Sequence, residues 1–546
     1  MEYQLPLQAF LHRAQHHANT PFLHQPENSS WQTLSWAQVD TQARRIAMGL
    51  LEQGYQPGDK IALLAKNCAQ WFIADIAITM AGLISIPIYT SAGVETINHI
   101  LTHSAAKAIF IGRLDCDKAI KQANTAHILR IALPATPFNC DEEWEQWLAR
   151  YPALTTLAEP KADETMTIVY TSGSTGLPKG VVLSHQNIAA SSSATAQLLG
   201  VNENDRGVSY LPLAHIVERC GVEWMSIYSG LQIFFVESLA LFLEGVQHAQ
   251  PTVFVSVPRL WSNFQSGVLT QLGASKLQRL LCIPIVKSII AKKIRKNLGL
   301  NACHTFFSGS APIAPKTLHW FRQLGINISE GWGMTETAGL SCASAPFSPE
   351  TIGTIGRPLP RINMKLSDTG EILIRGDAVF SAYYQNPEAS DASFSDGWFH
   401  TGDCAKRNEN GVYTIIGRMK EHFKTGKGKY VAPAPIESML SSNTDIEAVC
   451  VLGSGRKQPI ALVCLSANIP RNNEVHDKLL DTLQSVNLQL EIHTKLDHLI
   501  VCANSWSVNN DLLTPTLKIR RNKVEAYYDE LIHEEYPDTV VWQADL

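Results

Sequence analysis

The sequence has no strong surplus of charge and no paired cysteine motif. Its 45 basic and 50 acidic residues leave a net charge of -5, and charged residues make up only 17% of the chain. Because no basic excess is available to offset a phosphate backbone, nucleic-acid binding is not expected. The 11 cysteines are scattered without a Cys-x-x-Cys pair, which argues against a zinc site or a disulfide framework and favours a reducing cytoplasm.

The sequence also lacks an uninterrupted apolar run of membrane-spanning character. Residues 1–6 do not combine a basic start with an apolar core, so no signal peptide is expected. The longest apolar stretch, residues 71–90, is interrupted by Asp75, Gly82 and Pro87 and becomes β-like in its second half. This pattern predicts a buried helix followed by a buried strand, and therefore a cytoplasmic protein.

Strand-like and helix-like segments alternate along most of the chain. The alternation runs over residues 34–112 and resumes over 207–308, which predicts an α/β fold with two doubly wound lobes. Short strands separated by turns over 354–416 predict a small β-barrel-like subdomain. After residue 420 a further alternation, ending in a helix-like tail over 522–534, predicts a separate small α+β domain.

A loop rich in hydroxyls and glycines is the most informative motif. It lies between a β-branched run and another apolar run, and it ends in a lysine. Glycines let a backbone approach polyphosphate closely, hydroxyls donate hydrogen bonds, and lysine adds compact charge. We therefore predict a phosphate-binding turn between two strands, with a flexible linker as the alternative. Its residues are Thr171, Ser172, Gly173, Ser174, Thr175, Gly176 and Lys179.

A Walker A loop does not fit this motif. Walker A requires a lysine followed by serine or threonine at the start of a helix. Here Lys179 lies between Pro178 and Gly180, and an apolar strand-like run follows.

Further along the chain, three short segments combine groups suited to nucleotide chemistry. Residues 330–336 hold an aromatic ring, a hydroxyl and the carboxylate of Glu336, and residues 396–403 end in Asp403, a natural acceptor for a ribose diol. Residues 513–521 carry Lys518 after Thr-Pro-Thr. Together with the loop, these segments resemble the adenylate-forming (AMP-binding) superfamily. The resemblance is closest to bacterial long-chain fatty-acid:CoA ligases, and it includes residues 210–215 and 257–261.

The resemblance implies a role for each matching residue. Glu336 would hold Mg²⁺, helped by Ser174, while Lys518 would bridge the acid carboxylate and the α-phosphate and His215 would lie near that carboxylate. Trp332 replaces the usual tyrosine near adenine, which keeps an aromatic surface but changes its polar group. Beyond the loop, the residues implied for ATP and AMP are Ser310, Ala311, Gly331, Trp332, Thr335, Asp403, Arg418 and Lys518.

The resemblance also implies two domains that move. The N-terminal adenylation domain would span residues 1–419, and a mobile C-terminal domain would span 420–546 with its hinge at Lys420. Rotation about the hinge would bring Gly426, Lys427 and Gly428 toward the thiol acceptor. Lys427 stands where long-chain relatives usually carry a glycine, so the acceptor is less firmly implied than the adenylation.

The implied activity is the ATP-dependent conversion of a fatty acid to acyl-CoA through an acyl-adenylate, with Mg²⁺ as cofactor and ATP and CoA as co-substrates. The alternatives are a ligase for aryl or other carboxylic acids, a ligase that loads a carrier protein, and a non-catalytic sensor of acyl-adenylate. A basic stretch over residues 283–300 is either a solvated helix face or a peripheral contact with the inner membrane surface.

Overall fold

Helices and strands alternate along the first three quarters of the chain, in agreement with the sequence pattern. The computed structural model describes residues 4–27, 30–136, 139–171, 177–236, 238–466, 469–508, 510–514 and 518–545. The α-helices are α1 Pro6–His16, α2 Trp36–Glu52, α3 Ala69–Met80, α4 Val94–Ser104, α5 Lys118–Gln122, α6 Trp144–Arg150, α7 His185–Leu199, α8 Ile216–Glu218, α9 Met225–Ser229, α10 Phe242–Ala249, α11 Pro258–Leu272, α12 Ala274–Leu281, α13 Pro284–Asn297, α14 Pro315–Gln323, α15 Pro387–Asp391, α16 Pro433–Leu440, α17 Asn473–Asn487, α18 Arg521–Tyr527 and α19 Asp529–His533.

The strands belong to both domains. They are β1 Pro21–Glu27, β2 Ser30–Ser35, β3 Lys60–Leu64, β4 Ile84–Pro87, β5 Ala108–Ile111, β6 Leu129–Ala132, β7 Glu142–Glu143, β8 Thr165–Thr171, β9 Lys179–Ser184, β10 Arg206–Ser209, β11 Gln232–Phe235, β12 Val253–Ser256, β13 Thr305–Ser308, β14 Ile328–Met334, β15 Gly339–Ala343, β16 Arg357–Pro358, β17 Ile362–Leu366, β18 Glu371–Gly376, β19 Phe394–Ser395, β20 Trp398–Arg407, β21 Tyr413–Arg418, β22 Phe423–Lys424, β23 Tyr430–Val431, β24 Ile446–Leu452, β25 Ile460–Leu465, β26 Leu499–Val501 and β27 Val540–Trp542.

The first lobe is a seven-stranded sheet in the order β7-β6-β5-β3-β4-β8-β9. Its pairs are parallel except for the antiparallel hairpin of β8 and β9. Helix α3 is buried from Trp71 to Met80, and β4 follows it, which confirms the predicted buried helix and strand. None of the described helices has the length and apolar character needed to cross a membrane.

The second lobe contains the sheet β12-β13-β14-β15-β16, in which β12 to β14 are parallel and β15 and β16 are antiparallel additions. A four-stranded sheet, β10-β11-β1-β2, completes the α/β portion. Helices α10 to α14 pack on β12 to β14 through a separate apolar cluster that includes Phe254, Trp261 and Phe321. The predicted two-lobed α/β fold is therefore confirmed.

The β-rich region is an antiparallel sheet in which β17 pairs with β18, β18 with β20, and β20 also with β19 and β21. This sheet places the carboxyl end of β21 beside β20. The C-terminal domain has its own sheet, β24-β25-β26-β27, and its own apolar core around Leu479 and Val463. Each of these units buries a core because its strands are apolar on at least one face.

The C-terminal tail differs from the single helix that its sequence predicts. Helix α18 ends at Tyr527 and α19 begins at Asp529, with Tyr528 between them. Tyr528 is buried, and its hydroxyl accepts a hydrogen bond from Trp506 Nε1 at 3.2 Å. Burial of this ring and its hydroxyl in the domain core outweighs continuation of the helix, because helix propensity is a weak preference beside tertiary packing.

Candidate active site

The hydroxyl-rich loop connects two antiparallel strands, as predicted. Thr171 at the end of β8 pairs with Lys179 at the start of β9, and Val181 forms a bridge to Tyr383 from the adjoining segment. The two ends of the loop therefore lie on paired strands, and β9 also contacts the segment that contains Tyr383. The central loop residues lie outside the part of the chain that the structure describes, so their predicted phosphate contacts stay predictions. These residues are Ser172, Gly173, Ser174, Thr175 and Gly176.

Tyr383 joins the lysine of the loop to the predicted metal carboxylate. Its hydroxyl donates a hydrogen bond of 2.9 Å to Glu336 Oε1, and Lys179 Nζ lies 5.1 Å from the centroid of its ring. The sequence analysis did not identify this tyrosine. In the sequence, Tyr383 and Tyr384 precede Asn386 and Pro387. This local pattern indicates a turn and gives no sign of a contact with Glu336.

Glu336 lies in a single 3₁₀ turn directly after β14, and Thr335 is the first residue of that turn. Its carboxylate is buried, and burial raises its pKa, while the Tyr383 hydrogen bond and Arg418 act in the opposite direction. A buried carboxylate of this kind gains from a nearby cation. One carboxylate fits Mg²⁺, which takes most of its other ligands from polyphosphate oxygens and water.

Asp403 is held by two donors from different strands. Trp332 Nε1, on β14, donates to Asp403 Oδ2 at 2.8 Å, and Arg418 Nε, on β21, lies 3.0 Å from Oδ1. The negative charge of Asp403 raises the pKa of Arg418 above its ordinary value, so Arg418 stays charged. The replacement of the family's tyrosine by Trp332 thus supplies an N–H donor that fixes the orientation of the predicted ribose carboxylate.

The turn that the resemblance assigns to the adenine pocket follows β13. Ser310 adopts a left-handed conformation with φ of 70°, and Ala311 follows it. On the neighbouring strand a side chain at Gly331 would lie 2.3 Å from the ring of Phe307. A larger residue at 331 would therefore have to displace the side chains of Phe307 and Leu340, which pack over Gly331.

Lys518 reaches this site from the C-terminal domain. Leu513 and Ile519 form a bridge, and Lys518 N donates to Thr514 Oγ1 at 3.0 Å, so the backbone of Lys518 is fixed against Thr514. Burial lowers the pKa of its ammonium and Arg418 lowers it further, whereas Asp403 and Glu336 raise it. Lys518 retains solvent-exposed surface, so a substrate could reach it within this group of charges.

His215 precedes the first residue of α8 and lies within electrostatic reach of Lys518. Its Nδ1 accepts a hydrogen bond from the Val217 N–H at 3.3 Å and caps this short helix. Burial lowers the pKa of His215 to about 3, and the charge of Lys518 contributes to the same shift. His215 is therefore neutral near pH 7, so it can act there as a hydrogen-bonding group and not as a cation.

The predicted thiol-side residues form a hairpin turn between β22 and β23 in the C-terminal domain. Gly428 has φ of 73°, and Gly426 N donates to Arg456 O at 2.6 Å within the same domain. Lys427, between these glycines, is exposed. Lys420 lies in the 3₁₀ turn Met419–Glu421 that follows β21. Its role as hinge and the domain boundary at 419/420 remain predictions.

The described site residues thus meet although they lie far apart in the sequence. The charge of Lys518 lowers the pKa of His215, and Lys518 lies within electrostatic reach of Asp403, Glu336 and Arg418. The buried carboxylates of Asp403 and Glu336 are therefore faced by the cations of Arg418 and Lys518. The cations can neutralise the charge of a bound phosphate, and a carboxylate can accept hydrogen bonds from the diol of an attached ribose.

Comparison with protein-family models matches residues 10–384 to "AMP-binding enzyme" and residues 423–539 to "AMP-binding enzyme C-terminal domain". Among curated proteins, the chain is 28% identical to the long-chain-fatty-acid–CoA ligase FadD15 of Mycobacterium bovis over 93% of this chain and 92% of that protein. It is 27% identical to fatty acyl-CoA synthetase A of Dictyostelium discoideum over 94% of this chain and 87% of that one.

Solved structures share the fold. An anthranilate CoA ligase, AuaEII, in complex with anthranoyl-AMP matches with a TM-score of 0.80 at 20% identity, over 97% of this chain and 98% of its own. The o-succinylbenzoate coenzyme A synthetase of Bacillus subtilis with AMP matches with a TM-score of 0.74 at 22% identity, over 96% and 98%. Since the family model covers well over half of the sequence, the chain belongs to the AMP-binding enzyme family, whose members form acyl-adenylates.

Proposed function

We propose that this protein activates a medium- or long-chain fatty acid as an acyl-adenylate and then transfers the acyl group to CoA. The observation that carries the proposal is that Lys518, from the C-terminal domain, lies within electrostatic reach of His215, Arg418 and the buried carboxylates of Asp403 and Glu336. The choice of fatty acid rests on the full-length similarity to long-chain-fatty-acid–CoA ligases at about 28% identity. An aryl or other carboxylic acid is the second candidate, because ligases for anthranilate and o-succinylbenzoate share the fold.

In the first half-reaction, a carboxylate oxygen of the acid attacks the α-phosphorus of ATP and pyrophosphate leaves. Lys518 would contact both reacting groups and offset the negative charge that develops on the α-phosphate. Lys179 and the loop hydroxyls would hold the departing pyrophosphate. Asp403, held by Trp332 and Arg418, would accept hydrogen bonds from the ribose diol.

Glu336 would hold Mg²⁺, and the ion would neutralise phosphate charge during attack. Tyr383 keeps the Glu336 carboxylate in place through its hydroxyl. His215, neutral near pH 7, would donate or accept a hydrogen bond beside the acid carboxylate without adding charge to it.

In the second half-reaction, a CoA thiol attacks the acyl carbonyl carbon, and AMP leaves. We propose that the C-terminal domain turns at Lys420, which withdraws Lys518 and brings the turn at Gly426, Lys427 and Gly428 toward the thiol. Lys427, exposed on that turn, would contact a phosphate of CoA or a carrier-bound pantetheine.

The role of Lys518 is tested by separating the two half-reactions. In Lys518→Ala we expect adenylate formation to fall by about 100- to 1,000-fold, measured as ATP–pyrophosphate exchange. Thioester formation from supplied acyl-adenylate should be nearly unchanged. The control is Lys523→Ala, whose side chain pairs instead with Asp511 at 3.1 Å. Equal loss in both half-reactions would refute the assignment.

The acid and the acceptor are tested by measuring AMP release. Fatty acids of increasing chain length, benzoate and anthranilate are compared with CoA present, with CoA omitted, and with a pantetheinylated carrier protein. We expect turnover with fatty acids and CoA. Preference for an aryl acid would show that the proposed fatty-acid substrate is wrong. Turnover only with the carrier protein would show that CoA is not the acceptor. If no acid supports pyrophosphate exchange, the protein is better explained as a non-catalytic sensor.

A further inference from the structure

One segment of the second lobe carries an excess of positive charge that the overall composition conceals. Residues 245–329 contain ten lysines and arginines and no aspartate or glutamate. Since the whole chain has a net charge of -5, the remainder carries -15. Segregation of charge on this scale creates a local positive potential and attracts an anionic partner.

Exposed isoleucines lie within this basic segment. Ile283, Ile285 and Ile289 retain 53%, 76% and 62% of their surface. They are among the most exposed large apolar side chains in the described part of the chain. A cluster of this kind next to lysines is unusual for a surface that only contacts water.

Ile285, Ile289 and three lysines share one face of α13, and Ile283 is the residue directly before the helix. Ile285 and Ile289 are four residues apart, and Lys292, Lys293 and Lys296 follow at the helical spacing that keeps them in line. No ion pair joins these three lysines to a carboxylate among the described residues. We call Ile283, Ile285, Ile289, Lys292, Lys293 and Lys296 the α13 patch.

The opposite side of α13 is anchored in the lobe. Ala291 and Ile294 are buried in the apolar cluster beneath it, and the Arg295 guanidinium donates to Leu324 O. The helix therefore presents the α13 patch on a fixed support, and the exposed isoleucines are not required to hold it in place.

We propose that the α13 patch docks the protein on an anionic lipid bilayer. The lysines and the surrounding basic segment would be drawn to acidic head groups, and the isoleucines would enter the boundary between head groups and acyl chains. A nucleic acid would satisfy the positive charge, but it offers no place for three exposed isoleucines. A bilayer surface satisfies both features.

The magnitude of binding follows from these groups. Each lysine at an anionic surface contributes about five-fold to the partition coefficient, so reversing two of them should lower it by at least about 25-fold. Replacing two exposed isoleucines with serine should lower it by at least about 10-fold. The electrostatic part should weaken as salt rises.

The full chain is tested by sedimentation with vesicles of phosphatidylcholine and phosphatidylglycerol, and with vesicles of phosphatidylcholine alone. We expect binding only to the anionic vesicles, lost in Ile285→Ser/Ile289→Ser and in Lys292→Glu/Lys293→Glu. AMP release with a water-soluble acid should be unchanged in both variants, which shows that they fold and separates this proposal from the proposed function.

Matched controls are available elsewhere on the surface. Leu488 and Ile492 are 84% and 80% exposed in the C-terminal domain, so Leu488→Ser/Ile492→Ser removes similar apolar surface. Lys118→Glu/Lys161→Glu makes the same change in net charge at exposed positions in the first lobe. Both controls should bind anionic vesicles as the parent protein does.

The proposal is overturned if the parent protein fails to bind anionic vesicles at low salt, or if the α13 variants bind as tightly as their controls. It is also overturned if light scattering shows that the isoleucine variant converts a dimer to a monomer while vesicle binding persists, because a second copy would then cover the patch. If the protein binds DNA through the lysines alone and does not bind vesicles, the partner of this surface is a nucleic acid and not a bilayer.

Discussion

Replacing Trp332 with phenylalanine removes one hydrogen bond and keeps an aromatic ring at the same place. The bond removed is the 2.8 Å contact from Trp332 Nε1 to Asp403 Oδ2, and both residues are buried. A hydrogen bond to a charged group contributes about 1.5–3 kcal/mol, which corresponds to about 10- to 150-fold in affinity. Because Arg418 still holds Oδ1 at 3.0 Å, we expect the lower part of this range.

The assay is ATP–pyrophosphate exchange at saturating acid. In Trp332→Phe the KM for ATP should rise by about 10- to 30-fold, with a smaller change in kcat, because Asp403 contacts the ribose equally before and during attack. With 2′,3′-dideoxy-ATP the same substitution should have little effect, since that nucleotide has no diol for Asp403 to bind. Equal losses with ATP and the dideoxy analogue would refute the reasoning.

A control for the change of residue type lies on the same sheet as Asp403. The Trp398 ring on β20 packs under Lys365 Nζ at 4.3 Å and under Arg375 at 4.8 Å. Trp398→Phe should leave the KM for ATP unchanged. If this control also raises the KM, the effect of Trp332→Phe would reflect a general disturbance of the sheet.

Three further outcomes follow from the buried charges. Glu336→Gln should raise the Mg²⁺ concentration needed for half-maximal exchange by at least about 10-fold, because the amide keeps the shape but not the charge; an unchanged requirement would exclude Glu336 as the metal ligand. Arg418→Gln should move the alkaline limb of kcat/KM for exchange to higher pH, because Arg418 lowers the pKa of Lys518; a limb that stays in place or moves to lower pH would contradict this. Arg219→Met should lower the free energy of unfolding in urea by about 3–5 kcal/mol near pH 7, because it leaves the fully buried Asp75, 2.9 Å from Arg219 Nη2, without its cation. An unfolding free energy equal to that of the parent protein would contradict this reasoning.

Local sequence patterns predicted many elements of the fold closely. The alternation predicted over 34–112 and 207–308 contains β3, β5 and β13, and the short strands predicted over 354–416 include β17. Their residues are largely apolar or β-branched and bounded by turns, so local preference and burial agree. Ser184 caps α7, since its side chain accepts from Asn187 N at 3.2 Å, which is also a local interaction.

Local patterns were insufficient where distant residues compete. The tail predicted as one helix breaks at Tyr528, because burial of that ring against Trp506 is decided by the domain core. Tyr383 was missed for a similar reason: its significance lies in contacts with Glu336 and Lys179, which are remote in the sequence. The buried pair of Asp75 and Arg219 is also invisible along the chain, since each residue alone resembles a surface charge.

By itself the sequence determined the alternation of helices and strands and the order of the motifs, because periodicity, turn residues and short-range hydrogen bonds are properties of neighbouring residues. It also indicated which residue types could bind a nucleotide. Only the tertiary structure decided that Trp332 and Arg418 both hold Asp403 and that Lys518 lies within electrostatic reach of His215. The first relation depends on how β14, β20 and β21 pack within the N-terminal domain, and the second on how the C-terminal domain meets it. Both rest on burial and charge among residues far apart in the sequence.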